Sequence, residues 1–326
     1  MAQIVGAWAV THSAVMVRTW ERASTQIREE ISAGYKQVRD RLLATQPDLV
    51  ILIGNDHYQS FFLDNMPAFC LGIGDHSQGW GEADIPPYRM TIPRDIADSL
   101  LDGLLARNFD IAFARNLPLD HSFMTPIHLL MPEADIPIIP LFQNCLAPPL
   151  PALARCLALG QALQSTLEQM LAPLRVALIA TGGLSHEIPL PDWRDLGKEE
   201  TAEKWLKFMS QGRYQADRET QKAIGDEVLR WGKSGGGRID EDFDREILQL
   251  LSLGRYQDLA RYDTPTIRQR AGNGAQELRN WATAAGACGG YRAEQLFYRA
   301  VPEWLTGVAG VDLRASKTAA TPTNPG

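Results

Sequence analysis

The sequence predicts an α/β protein with a central, mostly parallel sheet flanked by helices and an inserted helical lobe. Two observations carry this. Short, continuous apolar runs, of which LVILIG (49–54) is the clearest, read as strands covered on both faces. Between them lie longer segments with apolar residues at helical spacing, and such alternation builds a layered α/β domain.

QIVGAWAV (3–10) is the first expected strand. Residues 20–45 set Ile27, Ile31, Tyr35, Val38 and Leu42 on one face of a helix, which QPD (46–48) stops. LVILIG follows, then AFCLGIG (68–74) as a strand and 79–92, holding Gly, Pro and acids, as a loop. PRDIADSLLDGLLARN (93–108) reads as a helix, DIAFAR as a strand, PIHLLM (126–131) as a short helix and DIPIIPLFQN (135–144) as a strand. Residues 148–171 open on prolines and continue as an amphipathic helix, and VALIATGG (176–183) is a strand ending in a glycine turn. Residues 190–240 become charged and helical and contain GKSGGG (232–237), which reads as an inserted lobe or lid; it lacks the residue order of a phosphate-binding loop. Helical patterning returns over 240–286, and the small, polar tail ASKTAATPTNPG (315–326) is expected to be disordered.

The composition, 45% hydrophobic and 22% charged over 326 residues, is that of a soluble globular protein. A net charge of -7 argues against nucleic acid as a partner, because phosphate binding needs a basic surface. No apolar run is long enough for a membrane span, and MAQIVGAWAV lacks the pattern of a secretion signal. Cys70, Cys145, Cys156 and Cys288 are scattered with no CxxC pair, as expected of free thiols in a reducing cytoplasm.

The chemistry points to histidine. All six histidines precede residue 187, and four have suggestive settings: His12 in AVTHSAV, His57 in VILIGNDHYQS, His121 in LPLDHSF and His186 in ALIATGGLSHE. Ligands collect at the carboxyl ends of strands in α/β sheets. His12 and His57 each follow a strand-like run and could share a metal, and two histidines with one carboxylate form the facial triad of non-haem Fe(II) oxygenases. Which of the 39 acidic residues completes such a triad stays open at this point. In GGLSHE (182–187) the glycines allow a tight turn, and His186 suits a general base; alternatively Ser185 caps a helix and His186 is a bystander. His121, directly after Asp120, suits an acid or supporting role, whereas His76 and His128 read as structural.

Taken together, DHYQSFFLDNMPAFCLGIG (56–74), LDHSFMTPIHLL (119–130), IPIIPLFQNCLAPPLP (136–151), TGGLSHEIPLP (181–191), AGNGAQELRNW (271–281) and FYRAVPEWLTG (297–307) are specific. Through them the chain resembles the class III (LigB-type) extradiol ring-cleavage dioxygenases, in particular the 2,3-dihydroxyphenylpropionate 1,2-dioxygenase branch. The resemblance implies one catalytic domain over 1–314. It implies an Fe(II) cofactor held by His12, His57 and Glu277, with His121 and His186 as the acid–base pair. It further implies meta cleavage of a catechol with an acidic side chain by O2, and a cytoplasmic homo-oligomer. Residues 190–240 depart from the branch's pattern, which leaves protocatechuate, gallate or 2-aminophenol cleavage as alternatives; since fold does not fix function, a hydrolytic or non-enzymatic metal-binding relative is a further one.

Overall fold

Strand β1 (Gln3–Val10) leads through a short helix α1 (Ala14–Arg18) to α2 (Thr25–Ala44) and the apolar strand β2 (Leu49–Gly54). Next come β3 (Phe69–Gly72), a small hairpin of β4 (His76–Gln78) and β5 (Arg89–Thr91), α3 (Arg94–Leu105), β6 (Ala112–Ala114) and α4 (His121–Leu130). The chain continues through β7 (Ile138–Gln143), α5 (Leu153–Gln169), β8 (Arg175–Thr181), α6 (Glu200–Ser210) and α7 (Arg218–Lys233). It ends with α8 (Glu241–Ser252), α9 (Thr264–Ala271), α10 (Leu278–Gly286), β9 (Tyr291–Val301) and β10 (Thr306–Lys317). This computed structural model describes residues 1–197, 200–212, 215, 218–235 and 237–317.

Eight strands form one sheet in the order β6-β3-β7-β2-β8-β1-β10-β9. The four central strands β7, β2, β8 and β1 run parallel. The strands β3, on one side, and β10, on the other, turn antiparallel to them. The period of two along β2 explains its unbroken apolar run. Leu49, Ile51 and Ile53 enter the core beneath α3, α5, α8 and α10, whereas Val50 and Leu52 enter the core beneath α2 and α4. On α2, Ile31, Tyr35, Val38 and Leu42 are buried as their spacing predicts, and Ile27 is half-buried.

Three differences from the sequence reading have physical causes. The hairpin β9–β10 was not expected, because its outer strand is an edge whose mixed, half-exposed side chains break the apolar run. It carries the last strand to Lys317, into the segment expected to be disordered; residues 318–326 lie outside the described residues, as does Gly236 of GKSGGG. The presumed loop 79–92 ends in β5, which pairs with β4. The helix expected at 126–131 starts five residues earlier, at His121, because Asp120 caps it by accepting the backbone N–H of Ser122.

Candidate active site

The carboxyl ends of β1, β2 and β8 lie side by side, and the segments leaving them bring His12, His57 and His186 to one place. His12 sits two residues beyond β1. There Ser13 caps α1 by accepting the N–H of Met16, and Thr11 is held by its bonds to Gly307 and Ala309. Beyond β2, the buried Asp56 accepts the backbone N–H groups of Gln59, Ser60 and Phe61, which turns the chain and sets His57 at its corner. Burial and the neighbouring Asp120 charge push the Asp56 carboxyl up to about 7. The carboxylate comes from a distant part of the chain. Glu277 ends the 3-10 turn Gly274–Glu277 that feeds α10 and is 1% exposed. Gly182, with φ +131°, lets β8 pass against it, since a Cβ there would lie 2.8 Å from the Cβ of Glu277.

Glu277 Oε1 lies 3.2 Å from His12 Nε2 and 3.3 Å from His57 Nε2. The opposite ring nitrogens are occupied: His12 Nδ1 is 3.2 Å from Thr181 Oγ1, and His57 Nδ1 donates to Asp120 Oδ2 at 2.7 Å. The carboxylate is anchored as well. Asn55 Nδ2 donates to Oε1 at 3.0 Å and the Gly183 N–H to Oε2 at 2.7 Å, while Asn280 braces Asn55. Both histidines thus direct Nε2 toward a fixed carboxylate oxygen, with a polar partner behind each ring, as metal-binding imidazoles do. The donor set therefore fits a metal ion.

The electrostatics agree with this fit. Burial pushes the His12 imidazole down, toward the neutral form that ligates. Burial also acts to lower His57, but the Asp120 and Glu277 carboxylates outweigh it and hold the ring well above its usual value. Burial acts to raise Glu277 in turn, and the imidazoles of His12, His57 and His186 overcome it, holding the carboxyl well below its usual range. Two buried carboxylates so placed demand positive charge, which either a proton on His57 or a metal ion supplies.

His121 and His186 complete the cluster. The His121 ring stacks on His57 with centroids 4.1 Å apart, and one of its nitrogens comes within 4.8 Å of ring nitrogens of His12 and His57. Its Nδ1 is buried 3.2 Å from Glu82 Oε1, which accepts the His121 backbone N–H at 2.6 Å. His186 Nδ1 donates to the Leu184 carbonyl at 3.0 Å, and Nε2 lies 3.7 Å from Glu277 Oε2. Gly274 makes room for this ring; a Cβ there would come 2.1 Å from Nε2. No helix starts at Ser185. Its hydroxyl donates to Asp244 and its N–H is bound by the same carboxylate, so the capping alternative gives way to a buried tether. The five residues singled out in the sequence therefore meet, whereas His76 is exposed beside Arg89 and His128 contacts the Tyr88 hydroxyl. Asn55, Glu82, Asp120 and Thr181 went unassigned. Asp120 carried a signal, an acid before a helix, but nothing in GWGEADIPPY marked Glu82.

A cavity of about 420 Å³ opens onto the cluster, with largely apolar walls that include Tyr58, Trp80 and Trp304 from the main body and Trp205, Phe208 and Ile224 from α6 and α7. The four cysteines are free and buried, and no described helix is long and apolar enough to cross a membrane.

A strand-end cleft holding two imidazoles and a buried carboxylate defines a metal-dependent enzyme built on an α/β sheet. Residues 6–309 match the model of the catalytic LigB subunit of aromatic ring-opening dioxygenase, and the chain belongs to this family of metal-dependent extradiol ring-cleavage enzymes. It is similar to the 2,3-dihydroxyphenylpropionate/2,3-dihydroxicinnamic acid 1,2-dioxygenase of Cupriavidus necator, 32% identical with 87% of this chain and 90% of the relative covered. Proteins of the same name from Paraburkholderia xenovorans (30% identical, 86% and 89% covered) and Escherichia coli O139:H28 (29% identical, 89% and 92% covered) are also similar. The crystal structure of an uncharacterized Escherichia coli K12 protein aligns over 94% of this chain and 98% of that one, with a TM-score of 0.46 and 13% identity.

Proposed function

We propose that the protein is an Fe(II)-dependent dioxygenase that opens the ring of a catechol carrying an acidic side chain, such as 3-(2,3-dihydroxyphenyl)propionate, with His12, His57 and Glu277 as the metal ligands. The observation that carries this reading is the single carboxylate oxygen lying 3.2 Å and 3.3 Å from two Nε2 atoms whose rings are held from behind. His121 competes for the third position by distance. Glu277 is the stronger candidate, because it is anionic, nearer, and fixed by Asn55 and Gly183, whereas His121 Nδ1 lies against Glu82. Two histidines and one carboxylate would hold the ion while leaving it accessible to substrate. When bound, Fe(II) supplies Lewis acidity to a catechol hydroxyl and redox coupling between ring and dioxygen.

The protein's residues handle protons and position. With Nδ1 held by the Leu184 carbonyl, His186 turns Nε2 to the cluster and is the base that takes a catechol hydroxyl proton. Glu82 holds the His121 backbone N–H and lies 3.2 Å from its Nδ1, and His121, stacked on His57, is the acid that returns a proton during ring opening. Asp120 orients His57 through both its backbone N–H and its ring. The apolar walls, including the cover from α6 and α7, exclude water and act as a lid.

Anaerobically Fe(II)-loaded protein given 3-(2,3-dihydroxyphenyl)propionate, protocatechuate or catechol tests this. The expected result is oxygen uptake matched one-to-one with a yellow ring-opened product, fastest with the propionate. Bound iron without uptake on any catechol overturns the reading.

A further inference from the structure

Among the described residues, two cationic side chains line the cavity, Arg18 and Lys222. Arg18 ends α1, six residues after His12, so one short helix joins the metal cluster to this guanidinium. Its Nη2 donates to Asp226 Oδ1 on α7 at 3.1 Å. Its Nη1 lies in the space left by Gly225, where a Cβ would come within 3.1 Å. Glycine inside a helix is disfavoured relative to alanine; here it gives the guanidinium a slot on α7. Arg18 is thus held between the helix that leaves His12 and the inserted lobe. Of its five N–H donors, one goes to Asp226 among the described residues. Lys222 stands one turn before Asp226 on the same helix and adds positive charge to this side of the cavity.

Among the described residues, the acids on the cavity wall are turned to other partners or to solvent. Glu82 accepts the His121 N–H, Glu187 lies 4.0 Å from Arg238, and Asp84 is exposed. An oriented, partly desolvated guanidinium beside apolar walls matches the two oxygens of a carboxylate.

We propose that Arg18, slotted by Gly225 and braced by Asp226, binds the carboxylate of the substrate's side chain and so determines which catechols are preferred. This rests on the ring-cleavage reading above. The catechol end of the substrate sits at His12 and its side chain extends along α1, so selectivity is built where α1 meets α7.

The test compares 3-(2,3-dihydroxyphenyl)propionate with 3-propylcatechol, which has a side chain of the same carbon count and no carboxylate. In Arg18→Met the preference for the propionate, read as the ratio of kcat/KM values, falls by roughly ten- to a hundredfold, the scale of a charged hydrogen bond. Arg18→Lys restores part of it, and Gly225→Ala, which crowds Nη1, lowers it less than Arg18→Met. Separately, binding of 3-phenylpropionate, which has no ring hydroxyls, is measured calorimetrically and weakens about tenfold or more in Arg18→Met. An unchanged ratio together with unchanged phenylpropionate affinity overturns the proposal. The binding arm decides the role of Arg18 even where the wild type cleaves no catechol, so the two readings fail separately.

Discussion

The two halves of the cavity are built on different physics. The strand-end half holds charge. His12 and Glu277 are 4% and 1% exposed, Thr181 partners His12, Asn55 and Gly183 partner Glu277, and Asp120 partners His57. The helical half holds shape. Trp205, Phe208 and Met209 of α6 pack with Tyr58, Phe62 and Ala147 in a small apolar cluster apart from the two cores of the sheet. A polar half of this kind tolerates little change, since each removed partner leaves a buried group unsatisfied. An apolar cover can be reshaped without disturbing the metal. Reaction type and substrate choice are thus separable here, and substitutions should sort by the half they touch.

The largest effects should fall on the proposed ligands. His12→Ala, His57→Ala or Glu277→Ala should abolish both oxygen uptake and stoichiometric metal, read as metal per chain after Fe(II) loading and desalting; a variant that kept its full metal content would remove that residue from the ligand set. Replacing His186 or His121 by Ala should leave metal content intact and slow turnover by roughly 10²–10⁴-fold, the scale of lost acid–base catalysis. Loss of metal in His121→Ala would instead move that ring into the ligand set and blur the division within the polar half.

A partner behind a ligand should matter less than the ligand. Asp120→Asn keeps an acceptor for the His57 N–H groups but removes the charge, so metal affinity should fall by about 10–100-fold in competition with a chelator, with wild-type affinity arguing that Asp120 serves only as the helix cap. On the apolar side, Phe208→Ala should leave metal binding unchanged and raise KM by roughly an order of magnitude, more than it lowers kcat. A loss of metal content alongside the rise in KM would show that the cover supports the cluster, and the two halves would no longer be independent.

The sequence revealed the two halves unequally. Buried parallel strands read as continuous apolar runs, so β1, β2, β7 and β8, and with them the positions of His12, His57 and His186, were legible. The glutamate was legible only by resemblance. Residues alone gave no reason to prefer Glu277, because its role depends on a 3-10 turn brought against Gly182 from the far end of the chain. The β9–β10 hairpin was hidden by its half-exposed edge strand. Residues 190–240 announced helices and charge, yet which side chains line the cavity depends on how α7 meets α1, a contact between segments some 200 residues apart, such as that of Arg18 with Asp226.

The last prediction concerns the tether that holds His186, and its effect on turnover at neutral pH should be the smallest. Asp244, fully buried on α8, accepts the Ser185 N–H, the Ser185 hydroxyl and the Tyr298 hydroxyl, joining the β8 exit to α8 and β9. Burial pushes its carboxyl up from the ordinary 3.8 to about 6. The folded protein therefore keeps this proton over a pH range in which the unfolded chain has released it. The sign follows: this group's contribution is most favourable below about pH 4, declines as pH rises, and levels off above about 6, a change of about 3 kcal/mol. Asn at this position carries no titrating proton, so the unfolding free energy of wild type minus that of Asp244→Asn should decline over this window in denaturant titrations at a series of pH values. A flat difference would mean that the carboxyl titrates normally, and that the polar half is held at this joint by hydrogen-bond geometry alone.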